Sequence, residues 1–120
     1  MISLYVHSTC SSCRNAVALL EEAGAEVDRR DYFRDRFTVE ELTAILARAG
    51  RTPTEMVSTR AKAYKDLGIA DRVRSDAELI ALMIEEPTLL RRPLAVADGK
   101  STVGFNALAL TELATGDAGR

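Results

Sequence analysis

The sequence predicts an α/β fold. A mixed sheet of four strands is flanked by helices, with an all-helical insertion at about 38–86 between a βαβ half and a ββα half. Three observations carry this reading. The chain opens with an alternating apolar strand that runs straight into a helix, and a second strand follows. The middle third then shows one helix-start signature after another and no strand signal. The last third returns to two short strands joined by a tight turn and closed by a helix. A crossover start and a hairpin finish are most simply combined in one sheet. The length of 120 residues is that of one domain, 1–120, and the small polar tail 115–120 is expected to fray.

In chain order, Ile2, Leu4 and Val6 face one way and Ser3 and Tyr5 the other, which is strand alternation. The stretch Arg14 to Glu22 has helical period and ends at Ala23-Gly24, where glycine supplies a left-handed cap. Glu26 to Tyr32 reads as a strand whose charges imply partial exposure. Thr38 and Glu41 form a capping box, and Phe37 with Leu42 a hydrophobic staple, ahead of the stripe Leu42, Ile45, Leu46, Ala49 and the stop at Gly50. A second box, Thr52-Pro53-Thr54-Glu55, places Pro53 at the favoured first helical position. Val57, Ala61, Tyr64 and Leu67 continue a helical face to Gly68, broken at Ser58-Thr59. A third box, Ser75 to Glu78, opens a helix through Leu79, Leu82 and Met83 that stops before Pro87. Leu94 to Ala97 is a short apolar strand, Asp98-Gly99 a hairpin turn, and Ser101 to Gly104 its partner strand. Asn106 caps a last helix through Leu108, Leu110 and Leu113.

Composition excludes several classes. Sixteen basic and 18 acidic residues give a net charge of −2, without the basic excess of a general nucleic-acid binder. No apolar run approaches a membrane span, and the N-terminus lacks a signal-peptide pattern. A cytoplasmic protein is expected. There, a two-cysteine pair is more often catalytic or redox-sensing than a permanent staple.

The chemistry centres on Cys10-Ser11-Ser12-Cys13. Cys10 sits where a strand ends and a helix begins, beside free backbone N–H groups and the positive end of the helix dipole. Both favour the thiolate, and such sites lower a thiol pKa from about 8.5 to roughly 3.5–7.5. Cys13 shares a stripe with Ala16, Val17 and Leu20, so it is expected to be the more covered of the two. An exposed attacking cysteine with a covered resolving one suits thiol–disulfide exchange. The bland alternative is a pair of unreactive small side chains. A structural zinc site wants four ligands, and the chain offers two cysteines and His7. A strand-to-helix CxxC at the head of a βαβ unit reads as thioredoxin-like. Arg60, Arg91 and Arg92, with Arg14, are candidate oxyanion binders because guanidinium forks match tetrahedral oxyanions. Any of them could instead be a solvated surface group. Asn15 could bond Cys10 or merely steady the first turn, and His7 is an acid–base candidate or a plain strand-end residue.

The chain from Ile2 to Leu113 resembles the glutaredoxin-type arsenate reductase family of the thioredoxin superfamily, including its Spx-like regulator branch. The residues that carry the resemblance are Cys10-Ser11-Ser12-Cys13-Arg14-Asn15, Ser58-Thr59-Arg60, Tyr64-Lys65-Asp66-Leu67-Gly68 and Glu86-Pro87-Thr88-Leu89-Leu90-Arg91-Arg92-Pro93, in this order and spacing. The resemblance implies that Cys10 attacks arsenate and that Arg60 and Arg92 clamp the anion. It places Ser11 and Ser12 in the same oxyanion site, with Arg14, Asn15 and a cis Pro93 in support. It implies no bound cofactor or metal, only an external reductant: thioredoxin, or glutathione with glutaredoxin. A further family arginine is replaced by the stretch Val103-Gly104-Phe105-Asn106. That stretch, like the CxxC, looks like the Spx-like branch, whose members bind the RNA polymerase α subunit through its C-terminal domain and use CxxC as a redox switch. The glycine of that contact appears here as Thr52. The phosphatase-like arsenate reductases need Cys-x5-Arg, and position 16 is Ala16. A general disulfide reductase is the remaining reading.

Overall fold

A computed structural model describes residues 1–97 and 99–118 of the chain. Four strands, β1 (Ile2–Val6), β2 (Val27–Asp31), β3 (Leu94–Ala97) and β4 (Lys100–Val103), form one sheet in the order β2-β1-β3-β4. β1 runs parallel to β2 and antiparallel to β3, and β3 is antiparallel to β4. This is the thioredoxin-like arrangement the sequence predicts. The hairpin turn joins β3 to β4 at Gly99, and Asp98 lies outside the described residues.

The sheet divides the core in two. Ile2, Leu4 and Val6 of β1 pack with Cys13, Ala16 and Leu20 of α1 (Ser11–Glu22) and with Leu110, Leu113 and Ala114 of α6 (Ala107–Ala118). The other face meets the helical insertion: α2 (Val39–Ala49), α3 (Pro53–Met56), α4 (Lys62–Asp66) and α5 (Asp76–Glu85), with 3₁₀ turns at Ile69–Asp71 and Pro87–Leu89. β3 lies between the two clusters. Leu94 and Val96 join the insertion while Ala95 and Ala97 join the α1/α6 side. A strand covered on both faces has no polar face to show, which is why its sequence is uniformly apolar.

Local signals explain most boundaries. Thr38 Oγ1 accepts from the Glu41 N–H at 3.1 Å, and the Glu41 carboxylate accepts from the Thr38 N–H at 3.0 Å. Thr52 and Glu55 repeat the reciprocal pair at α3. Ser75 completes only half of the third expected box: it accepts from the Glu78 N–H, but the Glu78 carboxylate is drawn to Arg72 at 2.9 Å. The Arg30 guanidinium on Glu41, with the Thr38 N–H, holds the Glu41 carboxyl down at about 2. Replacing the α2 cap, Thr38→Ala, is expected to lower stability by about 1 kcal/mol. Urea denaturation would show this as a lower midpoint at unchanged slope.

One expectation at an element end is corrected. Val57 does not continue a helix: its backbone is extended and bridges to Leu90, because α3 closes at Met56. The last helix runs through Leu108, Leu110 and Leu113 as expected; its buried face passes through Leu110, Leu113 and Ala114, and Leu108 is 71% exposed. Helix α6 runs to Ala118; Gly119 and Arg120 lie outside the described residues.

Candidate active site

Cys10 is the N-cap of α1, with extended backbone at φ −80° and ψ 121°, and its side chain is half-buried. Burial raises its pKa. Against this act the Cys13 thiol, the backbone N–H groups of Cys13 and Ser12, and the positive charge of Arg92, and the net direction is below the ordinary thiol value. Cys13 is buried on the stripe with Ala16 and Leu20. Burial, together with the charge of Cys10, pushes its thiol up. The two thiols are therefore pushed apart in acidity: Cys10 loses its proton more readily than an ordinary thiol, and Cys13 less readily.

Cys10 opens into a cleft of about 640 Å³. One wall is Cys10 and Ser12; the other carries Ser58, Thr59, Arg60, Arg91 and Arg92. The Val57–Leu90 bridge builds that second wall. Ser58 N–H donates to the Leu89 carbonyl at 2.6 Å and Arg91 N–H to the Met56 carbonyl at 2.9 Å. These bonds tie the stretch before Arg60 to the stretch containing Arg91 and Arg92. Thus the break in helical pattern after Met56 is what delivers Arg60 to the site. Glu55 also lines the cleft, but its carboxylate is occupied by Thr52 and Arg51. Three guanidinium groups beside one engaged carboxylate make a site for an anion.

The other sequence-predicted residues fall in different places. Ser12 lines the cleft, while Ser11 is exposed and outside its lining. Arg14 lines a second cleft of about 470 Å³, with Cys13, Arg29, Asp31 and Arg34. Asn15 is exposed and lines neither. Arg91 and Arg92 both reach the main cleft. Arg91 is exposed and donates to the Glu55 carbonyl at 3.3 Å, whereas Arg92 is half-buried over the Phe33 ring. The Arg92-Pro93 bond is cis, and the Pro93 carbonyl accepts from Gly104 N–H at 2.8 Å. That bond fixes Gly104 and Phe105 at the cleft edge. His7 stacks on Phe33 with ring centroids 3.9 Å apart. Among the described residues no group of three His, Cys, Asp or Glu side chains is placed to hold a metal ion, and no helix is long and apolar enough to cross a membrane.

Tyr32 and Phe33 were not singled out by sequence. The Tyr32 hydroxyl donates to the Leu90 carbonyl at 3.3 Å, and burial pushes its pKa up. The available signal was an aromatic pair directly after a strand. What it could not disclose is the partner, 58 positions along the chain.

A thioredoxin-like fold with a helix-start dithiol, opening on a guanidinium-lined cleft, defines the class: thioredoxin-like thiol proteins. Within it, the chain belongs to the ArsC family, whose model matches residues 5–113. The global transcriptional regulator Spx 2 of Bacillus anthracis is 38% identical over 106 residues, covering 88% of this chain and 81% of its own length. An arsenate reductase of Rhizobium meliloti is 33% identical over 96 residues, covering 80% of this chain and 69% of its own. Among solved structures, the arsenate reductase from Vibrio cholerae superposes with a TM-score of 0.83 at 30% identity, over 92% of this chain and 95% of that one. The relatives thus include proteins named as regulators and proteins named as reductases.

Proposed function

We propose that the protein is a thiol-dependent arsenate reductase acting in the cytoplasm, with Cys10 as nucleophile and Arg60 and Arg92 as the anion clamp. The observation that carries this reading is a lowered-pKa cysteine facing three guanidinium groups across one cleft. The arginines offset the repulsion between a thiolate and an incoming oxyanion. The Cys10 thiolate attacks arsenic, an S–As bond forms, and one oxygen leaves as water after taking up protons. A second thiol, Cys13 or an external one, then attacks the Cys10 sulfur. The S–As bond breaks with its electron pair on arsenic, which departs as arsenite. Two thiols lose two electrons and arsenic gains them. Consuming the charge on Cys10 removes one of the lesser causes that hold the Cys13 pKa up, while its burial remains. Thioredoxin, or glutathione with glutaredoxin, would return the disulfide to the dithiol state; the scheme uses no bound metal or flavin. The test couples the purified protein to each reductant system and follows NADPH. Arsenate-dependent consumption in at least one is expected, and none in either would remove the proposal.

A second reading is favoured by one observation. Phe105, 43% exposed, stands at the cleft edge in the stretch that resembles the regulator branch. In that reading the dithiol is a redox switch for binding the RNA polymerase α C-terminal domain. The Thr52 hydroxyl is already committed to the α3 capping box, so a partner there would meet an ordered helix start. A pull-down in both redox states decides it: binding in neither eliminates the regulator.

A further inference from the structure

We propose that Phe33 is a positioning residue for this cleft, its aromatic face holding the Arg92 guanidinium beside the Cys10 sulfur. The Arg92 Cζ lies 5.3 Å from the Phe33 ring centroid, within cation–π reach. Among the described residues no carboxylate pairs with Arg92, and its Nε is buried without a hydrogen-bond partner. Arg30 also lies over a ring, with its Cζ 4.6 Å from the Phe37 centroid, but it is paired with Asp35 and Glu41 as well, and the carboxylates are the difference. The contrast has a chemical reason. A carboxylate would fix the guanidinium but cancel its charge, whereas an aromatic face orients a cation without adding a negative charge that a thiolate or oxyanion must compete with.

Phe33 is itself fixed in place. The Asp31 carboxylate accepts from the Phe33 N–H at 3.0 Å and from the Ser8 N–H at 3.3 Å, joining the loop after β2 to the loop that leads into Cys10. His7, from that same leading loop, stacks on the Phe33 ring at an interplanar angle of 22°, and Tyr32 packs at 5.0 Å. Phe33 is not part of the cleft lining. Its ring therefore lies between His7 of the Cys10 loop and Arg92, and the proposed route to the Cys10 charge is the one through Arg92.

The consequences for arsenate rest on the reductase reading, but the thiol readout does not, so the two can fail separately. The experiment measures the pH profile of Cys10 alkylation by iodoacetamide, resolved by mass spectrometry from Cys13. Phe33→Leu and Phe33→Trp are compared in the wild-type and Arg92→Gln backgrounds. Phe33→Leu is expected to move the profile to higher pH, slowing alkylation about two- to fivefold at about pH 6.5. Phe33→Trp, with the stronger cation-binding face, should keep the profile at or below that of wild type. In the Arg92→Gln background Phe33→Leu should add nothing. A wild-type profile for Phe33→Leu overturns the proposal. So does an equal shift in the Arg92→Gln background, which would mark a purely structural effect. If Phe33→Leu does not fold, Phe33→Trp decides alone: a profile raised above wild type overturns the assignment.

Discussion

Cys10→Ser is expected to reduce arsenate-dependent turnover at least about a thousandfold, to the background of the coupled assay. The size follows from two separate losses. A serine hydroxyl is not ionised near neutral pH, so the helix start and Arg92 have no anion to stabilise. More fundamentally, an oxygen in that place cannot enter a disulfide, so the two electrons that arsenic needs have no source. Cys13→Ser is a different lesion. It keeps the sulfur that lines the cleft but removes the Cys13 thiol that helps lower the Cys10 pKa, so the adduct step is slowed rather than lost. If Cys13 is the resolving thiol, its loss stops turnover with thioredoxin and traps an adduct or mixed disulfide on Cys10, visible by intact mass. If an external thiol resolves the adduct, turnover persists with glutathione and glutaredoxin. Retained turnover in Cys10→Ser with either reductant would exclude this chemistry.

How much of this was readable beforehand depends on distance along the chain. The capping boxes at Thr38 and Thr52, the glycine stop at Gly50 and the placement of Cys10 at a helix start are local events, and they stand in the structure where the sequence places them. The alternation of β1 assigned its faces correctly for the same reason, since period two survives whatever the partner. The misreadings involve partners from elsewhere. Val57 has a helical periodic neighbourhood but pairs with Leu90, and a bridge over that separation leaves no trace in a window of a dozen residues. Glu78 has the spacing of a capping box, but Arg72 competes for its carboxylate. In the site, Arg60 and Arg92 were legible as residue types, while Phe33 was not, because an aromatic side chain becomes a platform only when a cation from a distant loop lands on it.

Arg92→Gln is expected to cost about 10²–10³-fold in kcat/KM for arsenate, the scale of removing one preorganised donor from a site of developing charge. Its second effect separates it from the other arginines. The positive charge of Arg92 is among the causes that lower the Cys10 pKa, whereas Arg60 lines the cleft without acting on that sulfur to a comparable degree. The sign is fixed by which form the charge favours. Thiolate is the reactive form, its fraction rises with pH through the Cys10 pKa, and a nearby cation brings that rise to lower pH. The wild-type rate should therefore climb to its plateau below the pH of an ordinary thiol, and Arg92→Gln should move the climb to higher pH. Raising the pH then recovers part of the lost rate but not all of it, because the anion has also lost a clamp. Arg60→Gln should lower kcat/KM through arsenate binding while the Cys10 alkylation profile stays with wild type. If both variants moved the profile equally, the thiolate would be responding to the summed charge of the cleft rather than to one guanidinium beside it. If neither moved it, the Cys13 thiol and the backbone N–H groups at the start of α1 would by themselves set the ionisation of Cys10, and the arginines would serve the anion alone.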